Sequence, residues 1–114
     1  MITVYGIKNC DSVKKALKFL NEHKIDYSFV DFKQTPQNTE NIKNWCGIVS
    51  VDLLFNKRGT TYRTLSLKDR TLERDDKIAL MAEHNMLIKR PVIEYNDQLI
   101  VGFDLTDYQG VFLK

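Results

Sequence analysis

The sequence predicts an α/β domain, and three observations along its 114 residues lead to that class. The first third shows strand-like, helical and strand-like patterns in turn. The middle is dominated by helical periodicity, and the last quarter contains two strand-like runs followed by a helix. The hydrophobic fraction of 43% is enough to bury a core without disulfides or metals. Because the length suits one domain, we predict a single domain over residues 1–114 with a helical insertion at about 36–87.

The first strand, the first helix and the second strand are predicted as one unit. The run ITVYGI (2–7) alternates β-branched and aromatic residues and stops near Gly6, which is typical of a strand. Apolar residues at helical spacing, with polar residues on the opposite face, predict a helix over about 11–23. The run YSFVDF (27–32) predicts a second strand. A helical connection of this length favours a right-handed parallel βαβ unit.

The middle segment is predicted to contain two helices before a polar loop. Thr35 is the expected cap of a helix that has Pro36 at its first position, which is a favoured arrangement. Apolar content over residues 51–55 predicts a short second helix. Residues 56–65 are polar and predict a loop that turns at Gly59.

The last part of the chain predicts a helix, a β-hairpin and a final helix. The first of these is expected to end near Asn85. PVIEY (91–95) and QLIVGF (98–103) are strand-like, and the ND dipeptide between them is a tight-turn signal. Asp104 is the expected cap of the final helix. This order of elements is the thioredoxin-like arrangement, in which the first strand ends at a loop that presents a cysteine at the start of the first helix.

Charge and cysteine usage narrow the classes of function. A net charge of +2 argues against a nucleic-acid binder but permits a local positive patch for a small anion. The N-terminus lacks the pattern of a signal peptide, and no apolar run approaches the ~20 residues of a membrane span. Two cysteines do not make a disulfide framework, so a cytoplasmic protein with reduced thiols is expected. With only two cysteines and two histidines, we expect no bound metal.

Cys10 is the residue on which the functional interpretation depends. It lies where the first helix is predicted to begin, and the unpaired N–H groups and macrodipole of a helix N-terminus stabilise a thiolate. The N–H groups of residues 12 and 13 could then point at its sulfur. The alternative is a buried structural cysteine, which is the interpretation favoured for Cys46 beside Trp45. Nearby cations add to the positive field: Lys8, Lys14 and Lys15.

Four segments together resemble the ArsC/Spx family (arsenate reductase-like), closest to its YffB-like branch. They are MITVYGIKNCDSVKKALKFL, LFNKRGTTYRTL, IKRPVI and VGF, in the same order along nearly the whole chain. The resemblance implies a thioredoxin-like fold with a helical insertion. It also implies that Cys10 is the redox-active or nucleophilic cysteine.

Three branches of that family differ at identifiable positions. The chain resembles Spx-type regulators but lacks their C-x-x-C switch, because Val13 stands three residues after Cys10. Glutathione-coupled arsenate reductases use three arginines to bind the oxyanion. Arg90 matches one and Arg58 approximately matches another, but the third falls near residues 101–102, where neither residue is basic. The YffB-like branch has one cysteine, the RGTTYR loop and the RP step, all of which are present. That branch is thought to consist of glutathione-dependent thiol reductases.

The resemblance also assigns roles to residues other than the cysteine. Pro91 would be a cis-proline that turns backbone polar groups toward a bound peptide or glutathione, and Arg90 would lie next to Cys10, stabilise the thiolate and bind a carboxylate or oxyanion. The alternative is a strand-opening proline beside a surface arginine. Arg58, favoured over Arg63, would hold an anion on a glycine turn. The remaining candidates for substrate or glutathione binding are Lys8, Asn9 and Ser12.

A single thiol implies a monothiol mechanism. The Cys10 thiolate would attack a disulfide, and glutathione would resolve the product as a co-substrate. The predicted function is therefore a glutathione-dependent thiol/disulfide reductase, an enzyme that acts on a small thiol or oxyanion substrate, with glutaredoxin as a further candidate partner. The alternatives are an arsenate reductase and, in another class, an Spx-like regulator that binds RNA polymerase. A monomer is expected, with no nucleic-acid or membrane partner.

Overall fold

The structure is a computed structural model that describes residues 1–113, and the chain divides into two compact units. One unit contains residues 1–31 and the chain from Arg90 onward, and the other contains Phe32–Lys89. The sequence predicted one domain with an insertion at about 36–87. Within residues 1–113, no helix combines the length and the apolar character that crossing a bilayer requires.

The first unit is a four-stranded sheet with two helices, in the thioredoxin-like arrangement that the sequence predicts. The strand order is β2-β1-β3-β4, with β1 parallel to β2 and the other two pairs antiparallel. This pairing confirms the predicted parallel βαβ unit and the predicted hairpin. The elements are β1 (Ile2–Gly6), α1 (Asp11–Glu22), β2 (Ser28–Asp31), β3 (Val92–Tyr95), β4 (Gln98–Val101) and α6 (Leu105–Phe112).

The core of the first unit is formed by side chains that alternate between buried and half-buried along the first strand. Ile2 and Val4 on β1 are buried, whereas Thr3 between them is half-buried, as expected for a strand with one face on a core. The buried strand residues pack with the apolar face of α1 and with Tyr108 of α6. The Tyr108 hydroxyl donates to the Gly102 carbonyl at 2.7 Å, so this buried polar group has a partner.

The regular secondary structure of the second unit is helical, apart from one bridge between Phe55 and Ile88. Two backbone hydrogen bonds flank that bridge, from Asn56 N–H to the Leu87 carbonyl and from Lys89 N–H to the Leu54 carbonyl. The helices are α2 (Thr39–Cys46), α3 (Val51–Leu54), α4 (Thr60–Thr64) and α5 (Arg74–Glu83), with 3-10 turns at Leu67–Asp69 and Asn85–Leu87.

The predicted start of the first inserted helix is wrong by several residues. The helix begins at Thr39, and its cap is Asn38, whose side chain accepts the Asn41 N–H at 2.9 Å. Neither Thr35 nor Pro36 is helical. The Gln37 N–H donates to Asn85 Oδ1, and Asn85 Nδ2 donates to the Gln37 carbonyl. This pair of bonds to a distant asparagine satisfies the backbone just before the helix, so the helix starts later.

The predicted polar loop over 56–65 is also wrong, because α4 occupies half of it. Gly59 is the cap of that helix and not a turn within a loop. Tyr62 lies edge-on to the buried ring of Phe55, with ring centroids 6.0 Å apart, and this contact anchors the short helix, since a helix of this length is not stable alone. The next helix, α5, ends at Glu83, close to the expected end near Asn85.

Candidate active site

Cys10 lies between the end of β1 and the start of α1, where the sequence placed it. It is the N-cap residue of α1, with an extended backbone (φ −140°, ψ 124°), and the Lys14 N–H donates to its carbonyl at 2.9 Å. The residue is half-buried, so its side chain is partly accessible. The thiol is therefore at the positive end of the α1 dipole.

The expected hydrogen bonds from the first turn of α1 to the Cys10 sulfur are absent. The structure has no side-chain cap hydrogen bond at this N-terminus, which corrects the prediction that the N–H groups of residues 12 and 13 point at the sulfur. A thiol is a weak acceptor, so it forms a cap bond less readily than a serine or aspartate oxygen does. What acts on the thiol is the field of the helix end and not a defined cap bond.

Strand register places Arg90 and Pro91 at the same end of the sheet as the Cys10 loop. β1 and β3 are antiparallel with Tyr5 opposite Val92, so the residues just before Val92 run beside the residues just after Tyr5. The Arg90–Pro91 peptide bond is cis, which confirms that prediction. Pro91 is buried, and the Nε atom of the half-buried Arg90 is buried as well.

The end of β4 lies at the same edge of the sheet, and the residues there, Val101 and Gly102, are not basic. Val101 pairs with Val92, and the next residue, Gly102, donates its N–H to the Pro91 carbonyl at 2.8 Å. Gly102 has φ 81°, a conformation that favours glycine over any arginine. The position where arsenate reductases were expected to carry a third arginine is therefore occupied by an apolar residue and a glycine.

Val13, three residues after Cys10, is fully buried against β1. A Cβ atom built on Gly6 would lie 2.7 Å from Val13 Cγ2, so the backbone of Gly6 is in direct contact with this side chain. Val13 has no exposed surface. The position that carries the second cysteine of a C-x-x-C motif is thus a packing position at the point where α1 approaches β1.

The other predicted site residues are distributed over both units. Lys8 and Asn9 are exposed in the loop that leads to Cys10, and Ser12 is half-buried in the first turn of α1. Arg58 is exposed and belongs to the second unit, where its N–H donates to Asn56 Oδ1 and its carbonyl accepts a bond from Arg63 Nη1. Its role as an anion ligand remains a prediction from the family resemblance.

Cys46, the other thiol, is the last residue of α2 in the second unit. It is half-buried, and burial raises the pKa of its thiol, while the charge of Arg74 acts in the opposite direction. A thiol with a raised pKa is a poor nucleophile at neutral pH. This agrees with the structural interpretation of Cys46.

Sequence reasoning missed a tyrosine–carboxylate pair on the sheet. The Tyr5 hydroxyl donates to Glu94 Oε1 at 2.9 Å, between β1 and β3. Burial, followed by the hydrogen bond and the charge of Glu94, raises the pKa of Tyr5 to about 12. No local pattern could have indicated this pair, because it depends on the register of strands that are far apart in sequence.

The sheet order, the cysteine at the N-terminus of α1 and the cis-proline before β3 together define a thioredoxin-like protein. The model of the ArsC family matches residues 5–111, and the chain belongs to that family. An uncharacterized protein of Haemophilus influenzae is 39% identical over 113 residues, with 98% of this chain and 99% of that protein covered. The solved structure of the YffB protein is 36% identical, covers 96% of this chain and 97% of its own, and has a TM-score of 0.90.

More distant relatives carry two different functional names. A protein of Neisseria meningitidis named arsenate reductase is 26% identical over 113 residues, with 96% of this chain and 97% of that protein covered. The global transcriptional regulator Spx of Bacillus subtilis is 26% identical over 106 residues, with 91% of this chain and 81% of the regulator covered. The family therefore includes both reductases and regulators.

Proposed function

We propose that this protein reduces glutathione mixed disulfides by a monothiol mechanism in which Cys10 is the nucleophile. The observation that carries the proposal is the position of Cys10: it caps α1 at the end of the sheet where Arg90 and cis-Pro91 precede β3. The combination supplies a thiol at a positive helix end and an arginine side chain at the same end of the sheet.

The proposed reaction has two exchange steps. The Cys10 thiolate attacks the glutathione sulfur of a mixed disulfide; a bond forms between these two sulfurs, and the substrate leaves as a thiolate that takes a proton from solvent. A second glutathione, as its thiolate, then attacks the adduct, forms glutathione disulfide and releases the Cys10 thiolate. In total, the mixed disulfide and one free glutathione become the reduced substrate thiol and one glutathione disulfide, since the other half of that disulfide is the glutathione that the substrate carried.

The buried Val13 supports an external resolving thiol. Because this side chain is fully buried and carries no sulfur, the adduct on Cys10 has no thiol at the C-x-x-C position to displace it. We propose that Arg90 stabilises the Cys10 thiolate and binds a glutathione carboxylate, with Lys8, Asn9, Ser12 and the backbone at Pro91 as further binding groups.

Mass spectrometry after incubation with glutathione disulfide tests the proposal. We expect one glutathione adduct on Cys10, none on Cys46, and removal of the adduct by added glutathione. Cys10→Ser should abolish the adduct and the reduction of a glutathionylated peptide, whereas Cys46→Ser, the matched control, should change neither. Normal turnover by Cys10→Ser, or an adduct that forms on Cys46 at the same rate, would refute the mechanism.

Arsenate is a second candidate substrate, favoured by the arsenate reductase name of the N. meningitidis relative. The absence of a cation at Val101 and Gly102 argues against it. A coupled assay with glutathione and glutaredoxin would measure turnover of arsenate against that of a glutathionylated peptide. We expect the peptide to be the better substrate.

Regulation is the alternative of another class, and it is favoured by the relatedness to Spx. The C-x-x-C switch that the resemblance associates with such regulators is missing here, because Val13 occupies the second position. Recovery of RNA polymerase subunits by the purified protein, independent of Cys10, would support this alternative over the enzyme.

A further inference from the structure

Three adjoining cavities mark one surface of the second unit. Their volumes are about 400, 340 and 290 Å³, and Lys57 lines all three. The largest lies against α4 and the 3-10 turn Leu67–Asp69, and the smallest extends from there past Leu72. The remaining cavity extends along α3 and the segment that joins it to α4. Since they share a lining residue, the cavities form one continuous uneven surface.

This surface is strongly cationic. Asp52 and Asp69 are the two carboxylates among the lining residues, and Asp52 accepts a 2.7 Å ion pair from Lys77, which also lines a cavity. Asp69 is thus the carboxylate that faces the remaining cations. We call these cations the basic surface, and all are exposed: Lys57, Arg58, Arg63, Lys68, Arg70 and Lys89.

The cations of the chain are distributed unevenly and are concentrated on the basic surface. The chain has 17 basic and 15 acidic residues, so outside the basic surface acidic residues outnumber basic ones. Clustered like charges repel each other and oppose folding, and the cluster attracts anions over a distance set by the ionic strength. An acidic partner would relieve the repulsion and gain from the attraction.

The cavities also contain apolar and pre-positioned groups. Leu53 is 45% exposed on the rim of one cavity, and the half-buried Leu72 and Tyr62 line the others. The Arg63 guanidinium is held by the Arg58 carbonyl at 3.0 Å. An arginine that is already ordered loses less entropy on binding a carboxylate.

We propose that the basic surface binds an acidic polypeptide segment whose carboxylates alternate with apolar side chains. Six cations spread over three cavities fit an extended anion better than a single compact one. A polypeptide is favoured over a nucleic acid because the apolar rim residues match apolar side chains, and because the chain has a pI of about 8.5, below that of most nucleic-acid-binding domains. The proposal does not depend on the thiol chemistry proposed for Cys10.

Fluorescence anisotropy with a dye-labelled peptide of mixed Glu and Leu tests the proposal on the full chain. The variant Lys57→Glu/Lys68→Glu/Arg70→Glu reverses three cations of the basic surface and leaves Arg58 intact. The matched control Lys15→Glu/Lys18→Glu/Lys43→Glu reverses three exposed lysines elsewhere. We expect the first variant to weaken binding at least about tenfold and the control to leave it unchanged. Circular dichroism would verify that both variants are folded.

Two further peptides test which side chains of the partner are needed for binding. A peptide with Gln in place of Glu should not bind, and a peptide with Ser in place of Leu should bind more weakly than the parent. Equal loss of binding in both charge-reversal variants would overturn the proposal, as would tighter binding of a single-stranded DNA of the same length at the same salt concentration.

Discussion

Val13 lies directly against the backbone of Gly6, so closely that a Cβ on Gly6 would be 2.7 Å from Val13 Cγ2. This contact sets how near α1 comes to the end of β1, and therefore where Cys10 lies relative to the sheet. It also uses position 13, the residue that would resolve a disulfide in a C-x-x-C motif, for packing. The position of the thiol and the absence of a second thiol at position 13 are thus linked to the same contact.

Substituting Gly6 tests this contact. Gly6→Ala should lower the free energy of unfolding by about 1–3 kcal/mol, because the added methyl group overlaps Val13 and the neighbouring backbone must shift. Val13→Ala alone should cost about 2 kcal/mol through lost packing. The double variant should cost clearly less than the sum of the single ones, since the smaller side chain makes room. Urea unfolding measures all three, and costs that add within about 0.5 kcal/mol would show that the two residues do not interact.

Restoring a thiol at position 13 should change the mechanism. In Val13→Cys, the introduced thiol can attack the adduct on Cys10, so glutathione is released and an internal disulfide forms. Mass spectrometry after treatment with glutathione disulfide should then detect the loss of two hydrogens in place of a glutathione adduct. Thr3→Cys, which introduces a thiol elsewhere on the first unit, is the control and should retain the adduct on Cys10. A stable Cys10 adduct in Val13→Cys would contradict the proposed geometry.

Arg90 should contribute to turnover through its guanidinium. Removing a hydrogen bond to a charged group costs about 1.5–3 kcal/mol, so Arg90→Ala should lower kcat/KM for a glutathionylated peptide about 10- to 100-fold. Arg90→Lys retains the charge but not the planar pair of donors, and it should recover only part of the rate. Lys18→Ala, which removes an exposed cation farther along α1, serves as the control. If Arg90→Ala is folded and as active as the control, Arg90 has no role in binding or chemistry.

Much of the first unit could be predicted because its signals are local. The alternation of β-branched and aromatic residues indicated the first strand. The ND dipeptide indicated the hairpin turn, where Asn96 has φ 55°. Asp104 caps α6 as predicted, since its side chain accepts the Asp107 N–H at 3.0 Å. The cysteine position followed from the strand-to-helix boundary. In each case the relevant interaction spans only a few residues of sequence.

The second unit was harder because distant contacts decide its local structure. Asn85 holds the backbone of Gln37, so a helix that sequence placed at Pro36 starts after Asn38 instead. The short helix α4 depends on the contact between Tyr62 and Phe55. For the candidate site, the residues of the Cys10 loop could be identified, but the missing cap bond to sulfur depends on side-chain geometry that no pattern encodes.

Stability at alkaline pH should report the environment of Tyr5. Its pKa is raised from 10.0 to about 12, first by burial and then by the hydrogen bond and the charge of Glu94, so the hydroxyl stays protonated in the folded state after it would ionise in the unfolded chain. The stabilising contribution is complete below pH 10 and is lost as the pH rises through about 12. Urea unfolding at several pH values should therefore show a falling free energy over that interval. Burial also raises the pKa of Tyr108, so both tyrosines contribute to the decline.

Two variants separate the causes of the Tyr5 shift. Tyr5→Phe should make the alkaline loss of stability shallower, because one of the ionising groups is gone. Glu94→Gln removes the charge but leaves the burial of Tyr5 in place, and since burial is the largest single cause, the pKa of Tyr5 should fall only part of the way toward 10.0. Phenolate absorbance during titration measures this directly. If Glu94→Gln restored the ordinary value completely, burial would contribute nothing to the shift, and the expected order of causes would be wrong.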